Sequence, residues 1–444
     1  MKFLQALRPK AISMIDGTEP AAVALDAIRR KDSIVMILGR AGTGKSTLIR
    51  KLLDADDENQ VVLAPTGVAA VNVGGQTIHS FFRIPPRLHN LAEIQPRRGA
   101  GKLFKNLKRV IIDEISMVRA DVLDTIDYAM RLNRKDQRPF GGVQMVLVGD
   151  FLQLPPVVRD EEETILATMG YATPYAFSAH CLRDNPVTTI ELTQVYRQDD
   201  AEYIDLLGHL RSSTNLAATM QSFNTACYGA HKRDAVPIIL TGTNAIADKY
   251  NIRGLQQLTG QATSYNGVIT GEFNLANDKL PAPECLTLKI GARVMMIKND
   301  KNKKWVNGSL GTVTRLAHDC AWVKLDDKSG EHEVTATGWD NIRYEWDDVT
   351  QAIEAKIIGS YAQLPIIPAW ALTIHKAQGL TLENVRVDLS TGAFASGQAY
   401  VALSRARSMQ GLSLASPLRV SDAKIDKRLI AYLESISPTL MLSE

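Results

Sequence analysis

An α/β fold built on parallel sheets is what this sequence predicts, and three observations carry that expectation. Four short, nearly continuous apolar runs occupy the first third of the chain: Ser33–Leu38, Val61–Ala64, Val110–Ile112 and Val143–Val148. Runs of this kind fit strands buried on both faces of a parallel sheet. Each run is followed by a polar or glycine-containing segment, in turn GRAGTGKS, PTGVAA, DEISM and GDFLQLPP. Ligands of open α/β sheets sit at the carboxyl ends of the strands, so these four segments mark one active edge. A second set of strand-like runs begins near Val187, at 187–192, 236–240, 384–389 and 412–415, between helical stretches. Between its members, roughly 255–360 changes texture to short alternating runs (ARVMMI, SLGTVTRL, AWVKLD, EHEVTA) split by Gly, Asn and Asp. That texture predicts a small β-barrel inserted in an α/β domain.

The chain has 444 residues, 45% of them hydrophobic and 22% charged, which excludes disorder as the main state. At about 100–200 residues per domain, this length predicts two to four domains. With 51 Lys and Arg against 48 Asp and Glu, the net charge is only +3. Any polyanion must therefore be held by local patches. The basic ones are 83–109 (Arg83, Arg87, Arg97, Arg98, Lys102, Lys105, Lys108 and Arg109 against Glu93) and Lys289–Lys304. Residues 160–163 and 326–348 are acidic. Cys181, Cys227, Cys285 and Cys320 form no CxxC pair, which predicts a reducing compartment and no cysteine-bound metal. The first residues lack an apolar signal core and no run reaches 18 apolar residues, so a soluble, cytoplasmic protein without a membrane partner is expected.

Gly39-Arg40-Ala41-Gly42-Thr43-Gly44-Lys45-Ser46 matches GxxxxGK[ST], followed by the helical stretch from Ser46 and Thr47. Its glycines let backbone N–H groups converge on a phosphate, and the helix that follows presents its positive end. Lys45 is placed to bridge the β- and γ-phosphates, and Ser46 to ligate Mg²⁺. Asp113, at the end of the third run, completes the metal shell, and Glu114 is the natural base for the attacking water. Gln153 follows the next strand and can sense the γ-phosphate. Arg197 in ELTQVYRQ and Arg405 in YVALSRAR, each in an otherwise uncharged loop, are candidates to stabilise the phosphoryl transition state.

Taken in order, GRAGTGKS, APTGVAA, GQTIHSFF, DEISMV, GDFLQLPPV, LTQVYRQ, TIHKAQGLT and YVALSRAR resemble the motifs of superfamily 1B helicases, specifically the Pif-one/RecD-like branch. The resemblance runs from about residue 30 to 410. It implies two RecA-like P-loop domains in tandem, a small wedge insertion in the first and an SH3-like β-barrel insertion in the second. The implied boundaries are 1–185 for the first domain (wedge about 83–108), 186–254 with 361–444 for the second, and 255–360 for the barrel. It further implies ATP and Mg²⁺ as cofactors and 5′→3′ translocation on single-stranded DNA by a monomeric motor acting at duplexes and forks. Replication or recombination proteins are then possible partners.

By resemblance, Gly39, Ala41, Gly42, Thr43, Gly44, Lys45, Ser46, Thr47 and Gly379 hold the nucleotide, with Gln378 beside Gly379. Pro65, Thr66, Thr77, His79, Phe81, Thr373, His375 and Lys376 resemble positions along the single-strand path. The wedge takes in Pro85-Pro86 and the basic segment after it. One departure stands out: the family's adenine-reading Gln upstream of the phosphate loop has no counterpart in DGTEPAAVALDAIRRKDSIVMIL, and Gln5 is distant. Relaxed nucleotide choice is therefore expected. Two other readings are a translocase that remodels protein–DNA complexes and a nucleotide-gated DNA-binding subunit of a recombination machine.

Overall fold

The computed structural model describes residues 20–436 except 56–58, 86, 90, 199, 230–236, 274–279, 327–329 and 351. Two compact units divide the described chain. The first runs to Tyr196 and also takes Ile342–Lys356 and the residues from Ile425; the second takes Arg197–Asn341 and Ile357–Lys424.

The first unit is built on six parallel strands: β1 (Ile34–Gly39), β2 (Gln60–Ala64), β3 (Gln76–Thr77), β4 (Arg109–Ile112), β5 (Gln144–Gly149) and β6 (Thr188–Leu192). Their spatial order is β3-β2-β4-β5-β1-β6. Both β1 and β5 are buried at every position, as continuous apolar runs require. Alternation along each strand feeds two cores. Val35, Ile37, Val62, Ile111, Val146 and Val148 pack with Ala27 and Ile28 of α1 (Pro20–Arg29) and Leu48 and Leu52 of α2 (Lys45–Ala55). Met36, Leu63, Val110, Ile112 and Leu147 enter the opposite core. There they meet the short helices α4 (Ile78–Phe82) and α5 (Gly101–Asn106) and the longer α6 (Ala120–Arg134), with α3 (Gly67–Asn72) lying between β2 and β3.

The second unit has a four-stranded parallel sheet, ordered Ala371–Thr373, β7 (Ile238–Thr241), Val385–Asp388, Leu412–Leu414. The intervening segment is antiparallel, as expected from its alternation. It forms a five-stranded sheet (Glu331–Thr335, Cys320–Leu325, Leu310–Leu316, Arg293–Met296, Ile366–Pro368) over a core of Val294, Met296, Val313, Val323 and Trp305.

Three features differ from the sequence reading. The run 187–192 opens no second domain: β6 pairs in parallel with β1 in the first sheet. Its apolar pattern is that of any buried parallel strand, so the pattern alone does not say which sheet it joins. Residues 255–360 are not one body either, because Ile342–Lys356 belongs to the first unit. There Tyr344 packs on Phe81 and receives the Val62 N–H, and Asp348 pairs with Lys102. The helix Lys427–Ile436 likewise packs in the first unit, where Tyr432 stacks on Phe177 at 3.9 Å between ring centroids. Gln5, Pro86 and Val236, all named above, lie outside the described residues. Among the described residues no helix is long and apolar enough to cross a membrane.

Candidate functional site

Strands β4, β5 and β1 are neighbours in the first sheet, so the loops leaving their carboxyl ends share one edge. The loop after β1 is the phosphate loop. Gly39 admits no side chain, since a Cβ would lie 2.5 Å from Thr43 Oγ1 and 3.0 Å from the Leu192 carbonyl. Gly42 and Gly44 turn through φ 83° and 82°, a left-handed conformation that glycine adopts without steric cost. Thr43 Oγ1 donates to the Arg40 carbonyl at 3.0 Å, and the Tyr196 N–H closes on Gly42 O at 2.9 Å. Lys45 folds over this loop, its Nζ donating to Gly39 O (2.7 Å) and Arg40 O (2.9 Å). Ser46 and Thr47 are exposed on the first turn of α2, and Ala41 is buried.

The loop after β4 carries the acid pair. Asp113 is buried, and its Oδ1 accepts the Glu114 N–H at 2.9 Å. Burial raises the Asp113 carboxyl above the ordinary carboxylate range, against the lowering effects of that N–H and of Lys45. Lys45 thus lies within electrostatic reach of Asp113. Glu114 sits at φ 53°, ψ 47°, a left-handed conformation that costs a non-glycine residue energy and recurs at functional turns. At the end of β5, a Cβ on Gly149 would strike Ile115, so the two loops pack directly together.

Gln153 is buried in the loop after β5, and its Nε2 donates to Asp150 Oδ2 at 3.2 Å. Asp150 Oδ1 accepts the Leu152 N–H. Asp150 is thus the positioning residue for Gln153, and sequence reasoning missed it. The signal was the acid one glycine past the fourth apolar run, close to the place where Asp113 follows the third.

In the second unit Arg197, Gly379 and Arg405 come together. Arg197 donates to Gly379 O at 3.2 Å and to Ser404 O at 3.5 Å. Arg405, read from the sequence as the charge of an otherwise uncharged loop, is only 1% exposed. It donates to Val401 O, Leu380 O and Ser404 Oγ. A buried guanidinium must satisfy its donors, and these acceptors come from the turn around it. Gly379 is exposed at φ 83°, with open space where a Cβ would stand, and the Gln378 N–H bonds His375 O.

The residues assigned to a nucleic-acid strand divide. Phe81 is fully buried, edge-on to Phe82 at 4.9 Å and to Phe104 at 5.6 Å, so it is a core residue and offers no face to a base. Thr66 and Thr77 cap α3 and α4, their hydroxyls accepting the Ala69 and Ser80 N–H groups. Pro65 and His79 are half-buried, and Thr373 is buried, its hydroxyl accepting the Lys376 N–H. Lys376 is exposed. His375 stacks on Phe394, which is 57% exposed and bound through its N–H to the buried Gln398. Phe394 is an exposed aromatic beside His375 that the sequence reading did not single out. An aromatic among small residues (GAFASG) before a helix was its signal.

The basic stretch 83–109 is also thinner than its sequence suggests. Arg109 lies inside β4 bonded to Gln144 and Gln60, Arg97 is mostly buried, and Arg87 pairs with Glu93. Of Lys289–Lys304, Arg293 pairs with Asp326, and Lys298 donates to Gly338 O.

Comparison with known proteins bears on this arrangement. Residues 21–212 match the PIF1-like helicase family model, and 274–316 match the model for the DNA helicase Pif1 2B domain. The chain is 33% identical over 408 residues to the ATP-dependent DNA helicase Pif1 of Bdellovibrio bacteriovorus, covering 90% of this chain and 88% of that one. It belongs to the PIF1-like helicase family. The human ATP-dependent DNA helicase PIF1 is 36% identical over 406 residues, and the chain spans about 60% of that relative's length. The structure of Bacteroides sp. Pif1 with ADP-AlF4 superimposes with a TM-score of 0.86 at 32% identity, covering 96% of this chain and 98% of that one. The same protein bound to single-stranded DNA matches with a TM-score of 0.69, 33% identity and the same coverage. The α/β architecture with tandem RecA-like domains is thus that of the PIF1-like family.

Proposed function

We propose that this chain is an ATP-dependent DNA helicase that translocates 5′→3′ on single-stranded DNA and unwinds duplexes and forks. The observation that carries the reading is the placing of Lys45, Asp113, Glu114 and Gln153 on loops of three neighbouring strands. Kinship to a Pif1 protein matched over most of both chains supports it. The Bacteroides relative binds single-stranded DNA, as its structure records.

In this reading the phosphate loop takes the β- and γ-phosphates on its backbone N–H groups, and Lys45 exchanges Gly39 O and Arg40 O for phosphate oxygens. Asp113 and exposed Ser46 are the donors that fit Mg²⁺, an oxygen pair of the hard type this ion prefers. When bound there, Mg²⁺ would supply positive charge beside the phosphates and offset the burial cost of ionised Asp113. Glu114 takes the proton of the attacking water while Gln153, held by Asp150, orients it. Arg197 and Arg405 supply charge to the developing phosphoryl transition state once their carbonyl partners are exchanged. The family-based division of 1–185, 186–254 with 361–444, and 255–360 is accordingly redrawn: the first domain runs to Tyr196 and takes Ile342–Lys356 and the residues from Ile425, and the second, with an SH3-like insertion, takes the rest. A cytoplasmic location, action as a monomer and contact with replication or recombination proteins belong to the same reading.

Lys45→Ala tests it. DNA-stimulated ATP hydrolysis is expected to be lost while DNA binding persists, and unwinding retained by that variant overturns the assignment. The missing upstream Gln leads to hydrolysis of GTP and CTP alongside ATP; strict ATP preference in steady-state rates contradicts that part.

A further inference from the structure

Away from the loops that bind nucleotide, the segment from Phe82 to Arg98 encloses a cavity of about 310 Å³. That is the low end of the volume range of ligand sites, ~300–1,000 Å³. Its walls mix apolar side chains, Ile84, Leu88 and Ile94 among them, with polar ones; Arg83 and Arg98 are exposed there, and Arg87 pairs with Glu93. Two polar groups face it from the interior, His89 at 4% exposure and Arg97 at 9%. Among the described residues His89 Nε2 and Arg97 Nε have no hydrogen-bond partner. Buried polar atoms are paired in the great majority of cases, and an orphan costs about 1–3 kcal/mol. Both orphans belong to residues that line this one cavity, which marks it as a candidate ligand site.

The cavity is also rigidly mounted. His89 N–H donates to Asp121 Oδ2, Arg97 N–H to Asn133 Oδ1, and Arg119 Nη2 to Arg87 O. Asp121 and Asn133 are on α6, the helix that follows the acid-pair loop. Arg97 Nη1 is committed to Phe81 O, with the guanidinium 5.8 Å from that ring, while Nε has no partner among the described residues. Burial depresses the His89 imidazole below its ordinary value, so it is neutral at pH 7 and serves a neutral ligand edge better than an anion.

These features select the occupant. An inorganic phosphate leaves the apolar side chains uncovered, and a purely apolar ligand leaves His89 and Arg97 unpaired. A single unstacked nucleobase meets both demands: its face covers the aliphatic side chains, its edge offers acceptors to the Arg97 N–H and His89, and its flanking phosphates meet exposed Arg83 and Arg98. We propose that this cavity captures one unstacked base of the single-stranded DNA held by the protein. The proposal rests on the DNA-binding reading above and adds a base-holding site in the segment the sequence suggested only as a basic wedge.

The test is an abasic scan. Binding is measured to oligonucleotides of one sequence in which each base in turn is removed. The wild-type protein is expected to lose about tenfold in affinity at the position seated in the cavity. That penalty should vanish in Leu88→Trp, which fills the cavity, and in His89→Leu, while penalties at other positions persist. A flat scan, or a penalty that both variants keep, overturns the proposal. A wild-type measurement covers the case in which a variant misfolds: 5-iododeoxyuridine at the sensitive position should cross-link within 82–98, and a cross-link elsewhere overturns the assignment. No DNA binding alongside intact basal hydrolysis defeats the underlying reading; binding with a flat scan defeats only the cavity.

Discussion

At the residue scale, the proposed chemistry rests on side chains held in place by neighbouring residues. Gln153 is aimed by Asp150, so Asp150→Ala should lower the hydrolysis rate by up to about 100-fold while the KM for ATP changes little. Rescue by Asp150→Asn separates positioning from collapse of the loop. Asp113 is the opposite case, a buried carboxyl whose ionisation opposes folding. Its folded-state value lies above the unfolded one, so its stabilising contribution is complete below the unfolded value and is lost as pH rises through the folded one. At neutral pH Asp113→Asn should therefore stabilise the nucleotide-free protein by about 0.5–2 kcal/mol while abolishing hydrolysis, read by thermal denaturation beside an ATPase assay. His375 and His89 carry the reverse sign. Burial holds both below their unfolded value, so their contribution is present above about pH 6.5 and is lost as pH falls toward the folded values. The melting temperature should fall between pH 7 and pH 5, and less steeply in His89→Leu.

At the element scale, α6 is fixed through its buried acids. Asp124 accepts the N–H groups of His180 and Cys181 at 3.0 and 2.8 Å, and Asp127 accepts that of Phe140 at 2.6 Å. Asp124→Ala strands two buried donors and should cost about 2–4 kcal/mol in chemical denaturation, with nucleotide affinity of the folded protein unchanged. The elements around it also show what was legible beforehand. Strands β1, β2, β4 and β5 announced themselves because strands buried on both faces must be continuously apolar, and the chemistry after each was readable because glycine, acid and amide are tied to their tasks. Phe81 was not, because TIHSFF reads alike whether its aromatic meets a base or the core; only Phe104 and Tyr344, distant in sequence, decide it. Nor was the membership of β6, which is settled by its pairing with β1. The burial of Arg405 was not legible either, because the Val401 and Leu380 carbonyls that enclose it are brought there by the fold.

At the scale of the whole molecule, a net charge of +3 leaves DNA binding to local features. Several basic residues that looked available, Arg97, Arg109 and Arg293 among them, are instead buried. If the proposed DNA binding rests on phosphate contacts, affinity should fall steeply with salt, which a titration at rising ionic strength checks. Directional unwinding driven by the site on β1, β4 and β5 is the central claim, and unwinding of 5′-tailed against 3′-tailed duplexes tests it most directly. Unwinding of the 5′-tailed substrate alone, dependent on ATP and lost in Lys45→Ala, is the result expected. Equal unwinding of both substrates, or unwinding that survives Lys45→Ala, would contradict the account.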